Sequence, residues 1–217
     1  KTSVDITVSS LTALTGSYAE VKDFRDELAN YTTESNIVKV TLDAGAVDSA
    51  SDLATLSANL QANVNTALQI DLQNITTITG SFNDLNGIRT NTGALNSGSD
   101  FISFDGRALT LNETISVANA NTLSGATSGL VTAAITTGAV AALNVLSDGG
   151  GQTNNFTMTI DDTTVDAGDL KTLRGKTSVD ITVSSLTALT GSYAEVKDFR
   201  DELANYTTES NIVKVTL

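Results

Sequence analysis

Short apolar stretches with alternating polar neighbours recur along the chain. Residues 4–8 (VDITV), 38–42 (VKVTL), 68–72 (LQIDL), 102–104 (ISF), 131–135 (VTAAI) and 156–160 (FTMTI) carry an apolar side chain at every second position. Period two with β-branched and aromatic residues predicts strands with one buried face. The alternation at 131–135 is the weakest, because it rests on alanine. A seventh stretch, residues 179–183, repeats the first. Each is followed by a small or polar turn and then by Leu, Ile or Val at helical spacing. Six strand starts before residue 176 give a mean spacing of about 29 residues, within the range of solenoid coils.

The segments after the strands resemble one another. Residues 9–21 (SSLTALTGSYAEV) and 73–85 (QNITTITGSFNDL) share one pattern, and 48–60 (DSASDLATLSANL) and 165–177 (VDAGDLKTLRGKT) share D-L-x-T-L. Residues 118–129 are a looser relative. Ser17 and Ser81 are expected N-caps, with Glu20 completing a capping box and Asp84 a weaker imitation. The helix after Ser17 should turn Val21, Phe24 and Leu28 inward and Glu20, Asp23, Asp26 and Glu27 outward.

A longer regularity encloses these. Residues 1–42 recur without a change as residues 176–217. Residues 1–175 are therefore expected to be one long repeat of about six βα coils, and 176–217 the start of the next within the same continuous solenoid. Strands joined through helical crossovers lie parallel, and the crossover is normally right-handed. The expected fold is α/β: a right-handed βα solenoid with one parallel sheet and short helices, a parallel β-helix being the alternative. The sequence opens on one strand and closes within another, as expected of an excerpt from a longer array. The expected partner is the next repeat along the axis, joined covalently or end to end.

Composition narrows the chemistry. The 217 residues include no His, Cys, Pro or Trp, so a Ser-His-Asp triad, a thiol nucleophile and an ordinary zinc site are all excluded. A formal charge of −13 disfavours nucleic acid as a partner. No apolar run reaches the length of a membrane-spanning helix, so no membrane insertion is expected. An apolar fraction of 40% suffices for a folded core. No catalytic and no cofactor-binding residues are expected, and the chain reads as a non-enzyme.

The phrases VDAGDLKTL, SSLTALTGSYAEV and NITTITGSFNDL resemble the low-complexity repeats of giant tandem-repeat bacterial proteins of the cell surface and extracellular matrix, of the kind found in cyanobacteria. The resemblance implies an exported, very long repeat protein serving as a surface thread, adhesin or motility-associated layer. The chain departs from that style in its uneven coil spacing, from about 23 to 34 residues.

The densest acidic group is Asp161, Asp162, Asp166 and Asp169, just after a strand. Carboxylates so spaced could share a Ca²⁺ with backbone carbonyls, although the spacing matches neither an EF-hand loop nor the nonapeptide calcium repeat. Turn and helix-cap roles are the competing reading. The Asp148-Gly149-Gly150-Gly151 turn lacks any phosphate-loop fingerprint. Asn30, Asn74, Asn112, Asn155 and Asn205 open N-x-S/T triplets, which chance supplies in a chain this rich in Asn and Thr. Asp26 and Glu27 are adjacent on a helix and point apart, which removes a paired-carboxylate hydrolase. The expected function is a structural, self-associating fibre. The alternative is an adhesin stalk, or a solenoid binding glycan or ice through a Thr-bearing sheet face such as 156–160.

Overall fold

A computed structural model describes residues 6–7, 10–32, 36–43, 45–47, 49–66, 68–72, 74–90, 104, 106–147, 154–207 and 211–217. The chain forms two compact units, Lys1–Ala108 and Leu109–Leu217. Each unit holds one copy of the duplicated 42-residue segment. Both are α/β, and every strand pairing within them is parallel.

In the first unit the strands are β1 (Ile6–Thr7), β2 (Ala13–Gly16), β3 (Tyr31–Thr32), β4 (Lys39–Leu42), β5 (Gly45–Val47), β6 (Gln69–Asp71) and β7 (Ile75–Gly80). The helices are α1 (Tyr18–Asp26), α2 (Ala50–Asn63) and α3 (Phe82–Thr90). β1 pairs with β3, β2 with β4 and β4 with β6, and β5 with β7. Among the described residues, paired strands of this unit are separated by one other strand and by a helical connection, as a parallel partner must return through a crossover.

The second unit contains β8 (Ala108–Ile115), β9 (Val131–Ile135), β10 (Asn155–Thr159), β11 (Thr164–Asp166), β12 (Ile181–Thr182), β13 (Ala188–Thr190), β14 (Tyr206–Thr207) and β15 (Lys214–Thr216). Its helices are α4 (Val117–Ser124), α5 (Val140–Leu143), α6 (Ala167–Arg174) and α7 (Tyr193–Asp201). One sheet runs β8-β9-β10-β12-β14 and another β11-β13-β15.

The expectation of one parallel sheet is therefore corrected: each unit distributes its strands over more than one. The segments before the helix caps, expected to be turns, are extended. They are strands, β2, β5, β7, β11 and β13, three to six residues long. Threonine is their commonest residue and suits extended backbone, but they lead into a capping residue whose signal masks them. The strands expected at 38–42, 68–72, 131–135 and 156–160 are present within a residue or two of the predicted bounds. At 102–104, residues 102 and 103 lie outside the described set, and Phe104 is buried without belonging to a strand. The strand of that region is β8, a few residues on.

Local chemistry explains the helices. Ser17 N and Oγ each donate to Glu20 Oε2 at 2.8 Å, and Glu20 N donates back to Ser17 Oγ, completing the expected box. The copy at Ser192 and Glu195 does the same. At Ser81 the shorter Asp84 accepts from the hydroxyl and donates its N–H back to it. D-L-x-T-L also acquires a meaning. Its two leucines, Leu53 and Leu56 in α2 and Leu170 and Leu173 in α6, are fully buried. The threonine between them donates back to the carbonyl four residues earlier: Thr55 to Ser51 and Thr172 to Gly168. Thr122 repeats this in α4.

The core also holds a polar bridge. Asn154, 1% exposed, donates from Nδ2 to Ser124 Oγ at 2.8 Å and accepts from Val131 N at 2.9 Å. Nearby, Thr177 Oγ1 accepts from Phe156 N and donates to Phe156 O. These side chains take up backbone groups that the strands leave free, as buried polar groups require.

Candidate functional site

Two of the four acidic residues singled out in the sequence, Asp162 and Asp166, hold helix starts. Asp166 is the N-cap of α6, its Oδ1 accepting from Gly168 N at 2.9 Å. Asp162 Oδ2 accepts from Val140 N at 2.6 Å, at the start of α5 on the neighbouring crossover. Asp169 lies exposed in the first turn of α6, where the helix dipole favours an anion. Asp161 is exposed. Among the described residues, no three acidic side chains gather as a metal-ligand group.

Threonine is aligned on the second unit's sheet. Thr159, Thr182 and Thr207 occupy matched positions on β10, β12 and β14, and Thr207 Oγ1 donates to Thr182 Oγ1 at 3.1 Å. Thr110 and Thr132 are matched on β8 and β9. Parallel register brings together threonines from successive crossovers, a juxtaposition the single Thr-x-Thr of residues 156–160 does not reveal.

The most informative surface emerges from the two identical segments. The described residues of 1–42 and 176–217 form corresponding elements: α1 corresponds to α7, β2 to β13, β3 to β14 and β4 to β15. Their surroundings differ. Val40 and Leu42 are fully buried in the first copy, whereas Val215 is 52% and Leu217 74% exposed in the second. The cause is the segment that comes after the first copy. β6 adds to the edge of β4 with Gln69 N donating to Val38 O at 3.0 Å, and α2 packs beside α1. The second copy is covered instead on its other side. Leu186, Leu189 and Tyr206 are buried there, with α6 beside α7, while their counterparts Leu11, Leu14 and Tyr31 remain half-buried.

The uncovered side of the second copy is an open apolar groove of about 540 Å³. Tyr193, Val196 and Leu203 line one wall and Ile212, Val215 and Leu217 the other. Lys197 and Arg200 also line it.

Ionisable groups around this copy are tuned by ordinary causes. Burial, reinforced by the negative charge of Glu202, pushes the Tyr206 hydroxyl up to about 12, and the hydroxyl donates to Leu170 O at 3.3 Å. The hydrogen bonds from Ser192 hold Glu195 below the usual carboxylate range, as those from Ser17 do for Glu20. Lys171 is held above the usual lysine range by its hydrogen bond and ion pair with Asp198, which tie α6 to α7.

The apolar groove was not among the sites singled out in the sequence. The duplication carried the signal, because identical apolar positions are covered or bare according to the neighbouring segment that packs on them. Among the described residues no helix is long and apolar enough to cross a membrane. Comparison of the chain with protein-family models, with curated proteins and with solved structures gives no match.

Proposed function

We propose that the chain is a structural, self-associating tandem-repeat protein, built as a right-handed βα solenoid of about six coils per long repeat and forming an extracellular fibre or cell-surface filament. One observation carries this reading: the identical segments 1–42 and 176–217 adopt corresponding helices and strands, and those strands pair in parallel with their neighbours. Parallel strands added one per coil rise about 4.8 Å each, so six coils advance about 29 Å. The reading assigns no catalytic group and needs no cofactor. The partner is the chain itself, and the acidic surface favours solubility over nucleic-acid binding.

Electron microscopy with fibre diffraction on the concentrated protein tests it. Filaments with a meridional spacing of about 4.8 Å and an axial repeat of about 29 Å are expected. Discrete particles at every concentration would sink the proposal.

The matched threonines favour a second reading, a solenoid that binds glycan or ice through its sheet face. Thermal hysteresis or glycan capture that disappears in Thr182→Lys would support it, with filament formation unchanged.

A further inference from the structure

Where α6 and α7 end beside each other, the second unit holds a cleft of about 590 Å³. Lys171 and Arg174 line it from α6, Thr177 and Ser178 from the approach to β12, and Glu202 and Asn205 from the turn after α7. Most of its polar groups are already bound within the protein. Arg174 donates from Nη1 to Thr177 O and from Nη2 to Asn205 Oδ1, the latter at 3.3 Å. Thr177 Oγ1 is taken up by Phe156, and Ser178 Oγ donates to Asn154 O at 3.4 Å. Lys171 Nζ lies 2.6 Å from Asp198 Oδ2. Two groups are left over. Arg174 Nε is buried and has no acceptor among the described residues. No described side chain donates to the Glu202 carboxylate. A buried donor without an acceptor is costly, and in native proteins such atoms meet a water or a ligand.

Charge decides what kind of ligand fits. Asp198 neutralises Lys171, and Arg174 and Glu202 offset each other across the cleft. The C-terminal ends of two helices disfavour an anion, and the guanidinium disfavours a cation. A neutral molecule remains, one that accepts from Nε and donates to a carboxylate at the same time. A hydroxyl can do either, and neighbouring hydroxyls on a sugar ring do both. We propose that this cleft binds one hexopyranose unit. One sugar hydroxyl accepts from Arg174 Nε, whose edge of the guanidinium turns into the cleft on binding, and its neighbour donates to Glu202. Asn205 Nδ2 supplies a further donor, its amide held by the bond that Oδ1 accepts from Arg174. Such a site goes beyond the fibre reading and does not rely on the threonine-bearing sheet face.

Nitrogen–proton spectra of the arginine side chains in the full chain test this directly. The Arg174 Nε–H signal, assigned by its absence in Arg174→Lys, should move saturably with millimolar glucose, galactose or mannose. Sodium acetate at the same concentration should leave it in place. Glu202→Gln should weaken the sugar's affinity about tenfold, because the hydrogen bond to a charged acceptor is lost. A signal unmoved by all of these sugars, one moved equally by acetate, or an affinity unchanged in Glu202→Gln overturns the proposal. If Glu202→Gln does not fold, the unaltered chain decides: movement with sugar and not with acetate upholds the site, and any other result overturns it. A free sugar and the end of a glycan share this chemistry, and the methyl glycoside of the active sugar separates them. Binding equal to the free sugar's assigns the site to glycan ends, and loss of binding assigns it to the free sugar. Electron microscopy reads the fibre independently. Filaments with no sugar response keep the fibre and remove this site, whereas a sugar response without filaments keeps the site and removes the fibre.

Discussion

Lys39 and Asp71 stand on adjacent parallel strands, the ammonium 3.1 Å from a carboxylate whose side chain is only 6% exposed. Taking the cation away leaves a buried anion short of a partner, the costly half of any buried pair. Because the lysine is about half exposed, solvent screens part of the effect. Lys39→Met should lower unfolding stability by about 1–3 kcal/mol. Adding Asp71→Asn should recover part of the loss. Urea unfolding of the three proteins checks this, and equal stability of Lys39→Met and the unaltered chain would show that the pair contributes nothing.

Gly80 ends β7 against the start of α2. A methyl group there would sit 2.7 Å from Ala50 Cβ, closer than two carbons can approach. Gly80→Ala should therefore cost about 1–3 kcal/mol through displaced backbone. Gly87→Ala, where a Cβ meets open space within α3, should leave stability the same or raise it by up to about 1 kcal/mol. In thermal melts the midpoint of the first variant should fall and that of the second should hold or rise.

Asp162 and Asp166 spend their carboxylates on helix starts. Asp162→Ala, which strips the acceptor from Val140 N, should cost about 0.5–2 kcal/mol. Millimolar Ca²⁺ should leave the midpoint unchanged in both the variant and the unaltered chain. A calcium-dependent rise in the unaltered chain that vanishes with Asp162→Ala would return these residues to the role of ligands.

Two titrations bound the stable pH range. Tyr206 is raised to about 12 in the fold, so its contribution is whole below the ordinary value of 10.0 and is lost as pH climbs through 12. Glu20 and Glu195 are lowered from 4.5, so theirs is present above that value and fades as pH falls through the depressed range. Tyr206→Phe should flatten the alkaline fall, and Glu20→Gln with Glu195→Gln the acid one. Chemical denaturation across pH measures both slopes.

The sequence showed the strands with a full apolar alternation and the capped helices, since period and capping chemistry are local. It did not show the second set of strands. Ala13–Gly16 has its Leu14 flanked by Ala and Thr and leads straight into a capping serine, so its extended form depends on pairing with Lys39–Leu42, a partner on the far side of α1. β8 escaped for a related reason: its register on β9 shifts between Thr110 and Thr114, which breaks the simple alternation. The difference in burial between the two copies lay out of reach for a different reason. Val40 and Val215 are the same residue in the same local sequence, and only a neighbour distinguishes them.

That identity gives the molecule a built-in spectroscopic control. Every methyl group of residues 1–42 has a chemical twin in 176–217, so for twins such as Val21 and Val196, local sequence cancels from any difference in chemical shift. The remainder reports the neighbour alone. One labelled chain thereby measures what a change of neighbour does to a fixed sequence.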